Sequence, residues 1–100
     1  MTQTKINKII SAVSDIFGVA PEMMMRRDRT RTIAMSRFAA WRLMSEAGLT
    51  HQVIGDYFGM NQSNIAYGIK ITRQWEEHMT ICDRFHDAML NEARRATDER

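Results

Sequence analysis

Apolar residues recur at intervals of three and four along most of the chain, which is the spacing of one face of an α-helix. Gly18, Gly48 and Gly59 follow three of the periodic segments and mark their ends. No stretch alternates with the period of two that a half-buried strand requires. The sequence therefore predicts an all-α fold, a bundle of six helices at residues 4–17, 21–25, 32–47, 51–58, 62–74 and 81–95.

Residues 50–74 carry the spacing of a helix-turn-helix. Thr50 is a suitable N-cap, and Gly55 lies where a small residue lets two helices approach each other. Gly59 allows the sharp turn, and Ile65 follows where an apolar side chain packs into the angle between the helices. The alternative is a plain helical hairpin, which shows any one of these features but less often all of them in register.

The second helix of this motif has an inward and an outward face. The inward positions are Ile65, Gly68, Ile69 and Thr72, and the outward ones are Gln62, Ser63, Asn64, Tyr67, Lys70 and Gln74. Short polar side chains at the leading end of such a helix reach base edges in the major groove of DNA, where Asn and Gln bond adenine. The alternative is that Asn61 or Ser63 is only a helix cap.

The charge of the chain is unevenly distributed, although its net value is only +2 over 100 residues. Residues 1–75 hold ten basic and five acidic side chains, whereas residues 76–100 hold four basic and seven acidic ones. Six arginines lie between positions 26 and 42. This distribution predicts a polyanionic partner for the first part of the chain, with a solvated charged face as the alternative.

The remaining composition argues against other classes of function. The length fits one domain, residues 1–100, and there is no apolar run that would span a membrane or direct export, so we expect a cytoplasmic protein. No phosphate-binding loop or activated nucleophile is present, which predicts no enzyme activity, cofactor or small-molecule substrate. His78, Cys82 and His86 are spaced by four, but the outer pair spans about 12 Å of helix, too far to share one metal ion.

The sequence resembles the C-terminal DNA-binding domain of the bacterial replication initiator DnaA. Arg27-Asp-Arg-Thr-Arg-Thr-Ile-Ala-Met-Ser-Arg-Phe-Ala-Ala-Trp-Arg-Leu43 is similar to the basic loop and long helix of that domain. Ile54-Gly-Asp-Tyr-Phe-Gly59 resembles the first helix of its helix-turn-helix, and Asn61-Gln-Ser-Asn-Ile-Ala-Tyr-Gly68 falls on its signature Asp-His-Thr-Thr-Val-Leu-His-Ala. The resemblance covers residues 4–95 and implies a domain that binds double-stranded DNA, without the ATPase domain of the initiator.

The resemblance also implies roles for individual positions. An arginine matching Arg29 enters the minor groove, and one matching Arg37 reads guanine in the major groove. The positions that match the base readers of the signature are Gln62, Ser63 and Asn64, and those that match a helix start touching phosphate are Thr50, His51 and Gln52. Charge and position add further expected phosphate contacts, which are Arg27, Arg31, Asn61, Tyr67 and Lys70.

Two departures from the family pattern predict a changed or relaxed site preference. The signature Asp-His-Thr-Thr is replaced by Asn61-Gln-Ser-Asn64, which keeps its polarity but not its pattern of donors and acceptors. Phe38 stands where the family has a glutamine that contacts DNA. The expected function is sequence-specific DNA binding in the regulation of replication initiation or transcription.

The alternative function is a protein-interaction module that binds the replication initiator or a second copy of itself. Its basis is an apolar stripe on the last part of the chain, formed by Trp75, Met79, Cys82, Phe85 and Met89. In a chain this short, the stripe is expected to close the core rather than to meet a partner.

Overall fold

The computed structural model describes residues 2–26, 30–77 and 80–98, except for the side chain of residue 76. Those ranges contain six α-helices and no strand, which confirms the predicted fold class. None of the described helices is long and apolar enough to cross a membrane. The helices are α1 (Thr2–Phe17), α2 (Pro21–Met24), α3 (Arg31–Glu46), α4 (His51–Phe58), α5 (Gln62–Glu77) and α6 (Ile81–Asp98).

The core lies where α1, α3, α5 and α6 meet, and Trp41 of α3 is the largest of the fully buried side chains in the described residues. The indole ring lies edge-on to Phe58 of α4, with 5.8 Å between ring centroids, and tilted to Phe38 at 5.5 Å. Such aromatic pairs add to the stabilisation from apolar burial. Other fully buried side chains around it are Ile9, Val13, Met44, Ile54, Ile65 and Leu90.

Helix α5 packs closely against α3 because residue 68 is glycine. A Cβ atom at Gly68 would lie 2.5 Å from Cε3 of Trp41 and 2.7 Å from Cδ1 of Phe38, too close for any side chain. The neighbours on this face of α5, Ile65, Ile69 and Thr72, are also buried. The predicted inward face is therefore confirmed, and the contact at Gly68 fixes which face of α5 is exposed.

Three of the features that the sequence predicts for the helix-turn-helix are present in α4 and in the turn that follows it. Thr50 caps α4, since its Oγ1 accepts a hydrogen bond from the amide of Val53 at 3.2 Å. Gly59 ends the helix in the left-handed conformation, with φ of 68°. Gly55 packs directly on the carbonyl of Met60, where a Cβ atom would collide with the oxygen. The two helices are thus held at a fixed angle.

The buried face of α6 differs from the expected one. His86, Leu90 and Ala93 are buried, whereas Phe85 is 61% exposed and Cys82 is exposed as well. The predicted apolar stripe is therefore split, since its assignment to the core is wrong for Phe85 and Cys82 but confirmed for Trp75, which is buried. The reason is tertiary: the imidazole of His86 packs on Trp75, with 5.2 Å between ring centroids, and this contact turns Phe85 to the outside. Met79 lies outside the described residues.

An ion-pair network joins α6 to α3. Arg94 donates two hydrogen bonds to the carboxylate of Glu46, each 2.9 Å long, and Arg42 donates a third of the same length. Burial alone would raise the pKa of Glu46, but the hydrogen bonds and charges of Arg94 and Arg42 outweigh it and lower the pKa. Arg42 also donates to Thr72 of α5 at 3.1 Å, so three helices share the network.

The close packing at Gly68 predicts the sign of a stability change. In an ordinary helix interior Gly→Ala stabilises by about 1 kcal/mol. At Gly68 the added methyl collides with Trp41, so Gly68→Ala should lower the free energy of unfolding by about 1–3 kcal/mol. Urea denaturation measures this change. A stabilised variant would contradict the contact.

The burial of His86 predicts a pH dependence of stability. Desolvation lowers the pKa of His86, and the charge of Arg31 lowers it further, while Asp83 opposes both. The unfolded chain, with a His pKa of about 6.5, then binds the proton more tightly than the folded one. The free energy of unfolding should therefore fall as the pH is lowered through about 6.5 towards the folded pKa.

Urea denaturation of the wild type and of His86→Gln between pH 7.5 and pH 5 measures this effect. We expect the variant to have a flatter profile, because it lacks the group that the unfolded state protonates first. An identical slope in both proteins would show that His86 does not carry the dependence.

Candidate nucleic-acid interface

The leading end of α5 is capped by Asn61 and exposes three polar side chains. The side-chain oxygen of Asn61 accepts from the amide of Asn64 at 3.1 Å and from the hydroxyl of Ser63 at 2.8 Å. Of the two predicted cap residues, Asn61 is thus the one that caps. Gln62, Ser63 and Asn64 are exposed, so their polar groups face solvent at the end of α5 where free backbone N–H groups also lie.

The exposed face of α5 continues over two more turns. Tyr67 and Lys70 are exposed, as predicted, and Arg73 extends the basic character of this face, while Gln74 is half-buried rather than fully outward. Tyr67 is 60% exposed, which is unusual for a large aromatic ring. The face therefore combines polar, basic and aromatic groups.

The start of α4 presents a second helix N-terminus. Thr50 and Gln52 are exposed and His51 is half-buried. The Thr50 oxygen accepts the capping bond, which leaves its hydroxyl hydrogen able to donate. A helix start with free N–H groups and small donors is suited to a phosphate oxygen.

Arginines before and at the start of α3 supply positive charge. Arg26 and Arg31 are exposed. Arg27 and Arg29, predicted as phosphate and minor-groove contacts, lie outside the described residues.

Arg37 occupies a different place from the one expected of a base-reading residue. It is only 7% exposed, and its Nη1 donates to the carbonyl oxygen of Arg26 at 2.6 Å. The guanidinium thus lies against the backbone of Arg26, the first residue of the basic segment at residues 26–31, and in this position it does not reach outward. Its contact with guanine stays a prediction, and that contact requires the side chain to leave this site.

Phe38 links α3 to the exposed face of α5. Its ring lies edge-on to Tyr67, with 6.3 Å between centroids and an interplanar angle of 87°. The same ring contacts Trp41, so Phe38 connects the buried indole to the exposed phenol. Phe38 is therefore part of the aromatic packing beside the outward face of α5.

Side chains that bind metals are not grouped in the described part of the chain. No three His, Cys, Asp or Glu residues there are placed to hold one ion. Cys82 is exposed and His86 is buried against Trp75, so the two differ in environment despite their spacing. His78 lies outside the described residues.

The family model for the bacterial DnaA protein helix-turn-helix matches residues 6–71. The chain belongs to this family. The match covers α1 from residue 6 onward, α2 to α4 and the first ten residues of α5, with the capped leading end, and it stops before α6. Membership of the DnaA helix-turn-helix family implies DNA binding through this motif. A comparison with curated proteins gives no match.

The cap at Asn61 predicts a difference between two substitutions. Asn61→Ala removes the accepting oxygen and should lower the free energy of unfolding by about 1 kcal/mol, whereas Asn61→Asp keeps the oxygen and should leave it near the wild-type value. Urea denaturation compares them. Equal losses in both variants would mean that the oxygen does not cap α5.

Proposed function

We propose that this chain binds double-stranded DNA sequence-specifically and acts in the regulation of replication initiation or of transcription. Helix α5 enters the major groove, and the basic segment at residues 26–31 lies at the neighbouring minor groove. The observation that supports this most strongly is the exposure of Gln62, Ser63 and Asn64 on the end of a helix whose opposite face is buried.

The exposed side chains define the kind of base they recognise. The amides of Gln62 and Asn64 each offer one donor and one acceptor, which is the pattern of adenine N7 and N6 in the major groove. Ser63 donates to or accepts from several bases. The family signature that this segment resembles has an aspartate where this chain has Asn61, so a charged acceptor is replaced by an uncharged amide. The preferred site should therefore differ from that of the initiator.

The remaining proposed contacts position the protein and supply charge. Arg29 enters the minor groove, which attracts arginine where it is narrow, and Arg37 reads a guanine once its side chain is released from Arg26. The proposed phosphate contacts are Arg27, Arg31, Thr50, His51, Gln52, Asn61, Tyr67 and Lys70.

Selection from random duplex DNA at moderate salt tests the proposal. We expect enrichment of one short sequence. Arg29→Ala should reduce discrimination for that sequence by about 1–3 kcal/mol if the side chain meets a base. Absence of any enriched or retained duplex would contradict the proposed function.

Lys70→Ala separates charge from base reading. Lys70 is exposed on α5, so its loss should weaken binding to the selected and to scrambled duplexes alike. The slope of log K against log salt should decrease by about one. A loss confined to the selected sequence would show that Lys70 contacts a base instead.

A second candidate function is supported by the exposed apolar residues of α6. Ile81 and Phe85 are both largely exposed and lie one helical turn apart, outside the family match. Such a surface suits a second copy of the chain or a replication initiator. Sedimentation of the wild type and Phe85→Ser, with and without an initiator protein, tests this function. This function is supported if the wild type forms a dimer or a complex that Phe85→Ser does not form. It also requires that neither the wild type nor the variant binds duplex DNA.

A further inference from the structure

Tyr67 is the one large exposed apolar side chain on the proposed DNA-reading helix. Four such side chains occur among the described residues, and the other three lie on α4 or α6. Tyr67 follows Ser63 by four positions and Asn64 by three, so it lies one turn behind them. Most of its ring faces outward from a surface that is otherwise polar and basic.

The ring of Tyr67 is held from one side by Phe38. The edge-on contact between these rings continues through Phe38 to Trp41 in the core. Gly68, next to Tyr67, brings α5 within contact of the same two side chains of α3. An aromatic side chain that is supported in this way has less conformational freedom to lose on binding.

The chemistry of this surface points to an apolar group in the major groove. A phosphate would need only the hydroxyl of Tyr67, and the ring would serve as a spacer. The ring of Phe38 on α3 lies beside that of Tyr67 on α5, so the surface next to the base-reading residues is aromatic on both helices. The apolar group that base pairs present in the major groove is the 5-methyl of thymine.

We propose that the ring of Tyr67, supported by Phe38, packs against the 5-methyl group of a thymine and makes Tyr67 a specificity-determining residue. This inference rests on the proposed function, because it requires α5 to lie in the major groove. Tyr67 lies about 6 Å along the helix from Ser63, which is close to the rise of two base pairs. The thymine should thus lie within about two base pairs of the base that Ser63 contacts.

Replacing each thymine of the selected duplex by deoxyuridine tests the inference. Deoxyuridine keeps the base pair and the O4 acceptor and removes only the methyl group. At one position the full chain should bind about fourfold more weakly, as expected for one buried methyl group. The ratio of the affinities for the thymine and the deoxyuridine duplex measures the methyl effect. Tyr67→Phe should keep this ratio, because it keeps the ring, and Tyr67→Ala should bring the ratio to about one.

Phe85→Ala is the matched control, because Phe85 is 61% exposed on α6, outside the family match. The variant should keep the ratio of the wild type. Far-ultraviolet circular dichroism and thermal melting verify that each variant is folded.

The outcomes separate the inference from the proposed function. If the wild type binds no duplex, both fail. If the wild type binds a selected duplex, the inference alone fails when no thymine is enriched or when no deoxyuridine substitution changes the affinity. It also fails if the methyl effect persists in Tyr67→Ala, or if Tyr67→Phe brings the ratio to about one, because the hydroxyl and not the ring would then carry the effect.

Discussion

The approach of α5 to the indole of Trp41 is the contact on which the rest of the structure depends. It is possible only because residue 68 has no side chain. Once this point of α5 is fixed, the helical repeat places Ile65 and Thr72 in the core as well. The buried hydroxyl of Thr72 is fully hydrogen-bonded, since it donates to the carbonyl of Ile69 and accepts from Arg42. The polar end of α5 is exposed as a consequence of this packing.

Helix α6 completes a core that the family segment alone would leave open. The matched residues end at position 71, within α5, yet Leu90 and Ala93 are fully buried. Besides its packing on α1, helix α6 makes two contacts with the other helices, the tilted ring contact of His86 with Trp75 and the pairing of Arg94 with Glu46. Both reach helices that position the proposed DNA-binding face, so α6 supports that face without taking part in the family motif.

The sequence was sufficient where structure follows from local stereochemistry. Thr50 before an apolar repeat and Gly59 after it define α4 without any tertiary information. The two faces of α5 follow from the spacing of three and four residues, the helical period, that Ile65, Gly68 and Thr72 keep. The same period explains why the leading end of α5 was predicted as the candidate site.

The sequence was insufficient where a contact with a residue distant in the chain determines whether a side chain is buried. Arg37 shares a face with Ile33 and Ala40, which is a signal of burial, but its partner is a carbonyl eleven residues earlier in the chain. An arginine is usually placed on the surface by its charge, so this signal was outweighed. On α6, one stripe contains Phe85 and another contains Leu90, and contacts with distant residues, among them Trp75, determine which of the two is buried.

The most direct test of the central claim is a backbone amide NMR titration of the full chain with the selected duplex. We expect the largest shift changes at the leading end of α5, residues 61–70, and at the start of α3, with α6 little affected. Changes concentrated at Ile81 and Phe85, with the amides of Gln62 to Asn64 unmoved, would contradict a DNA-reading role for α5.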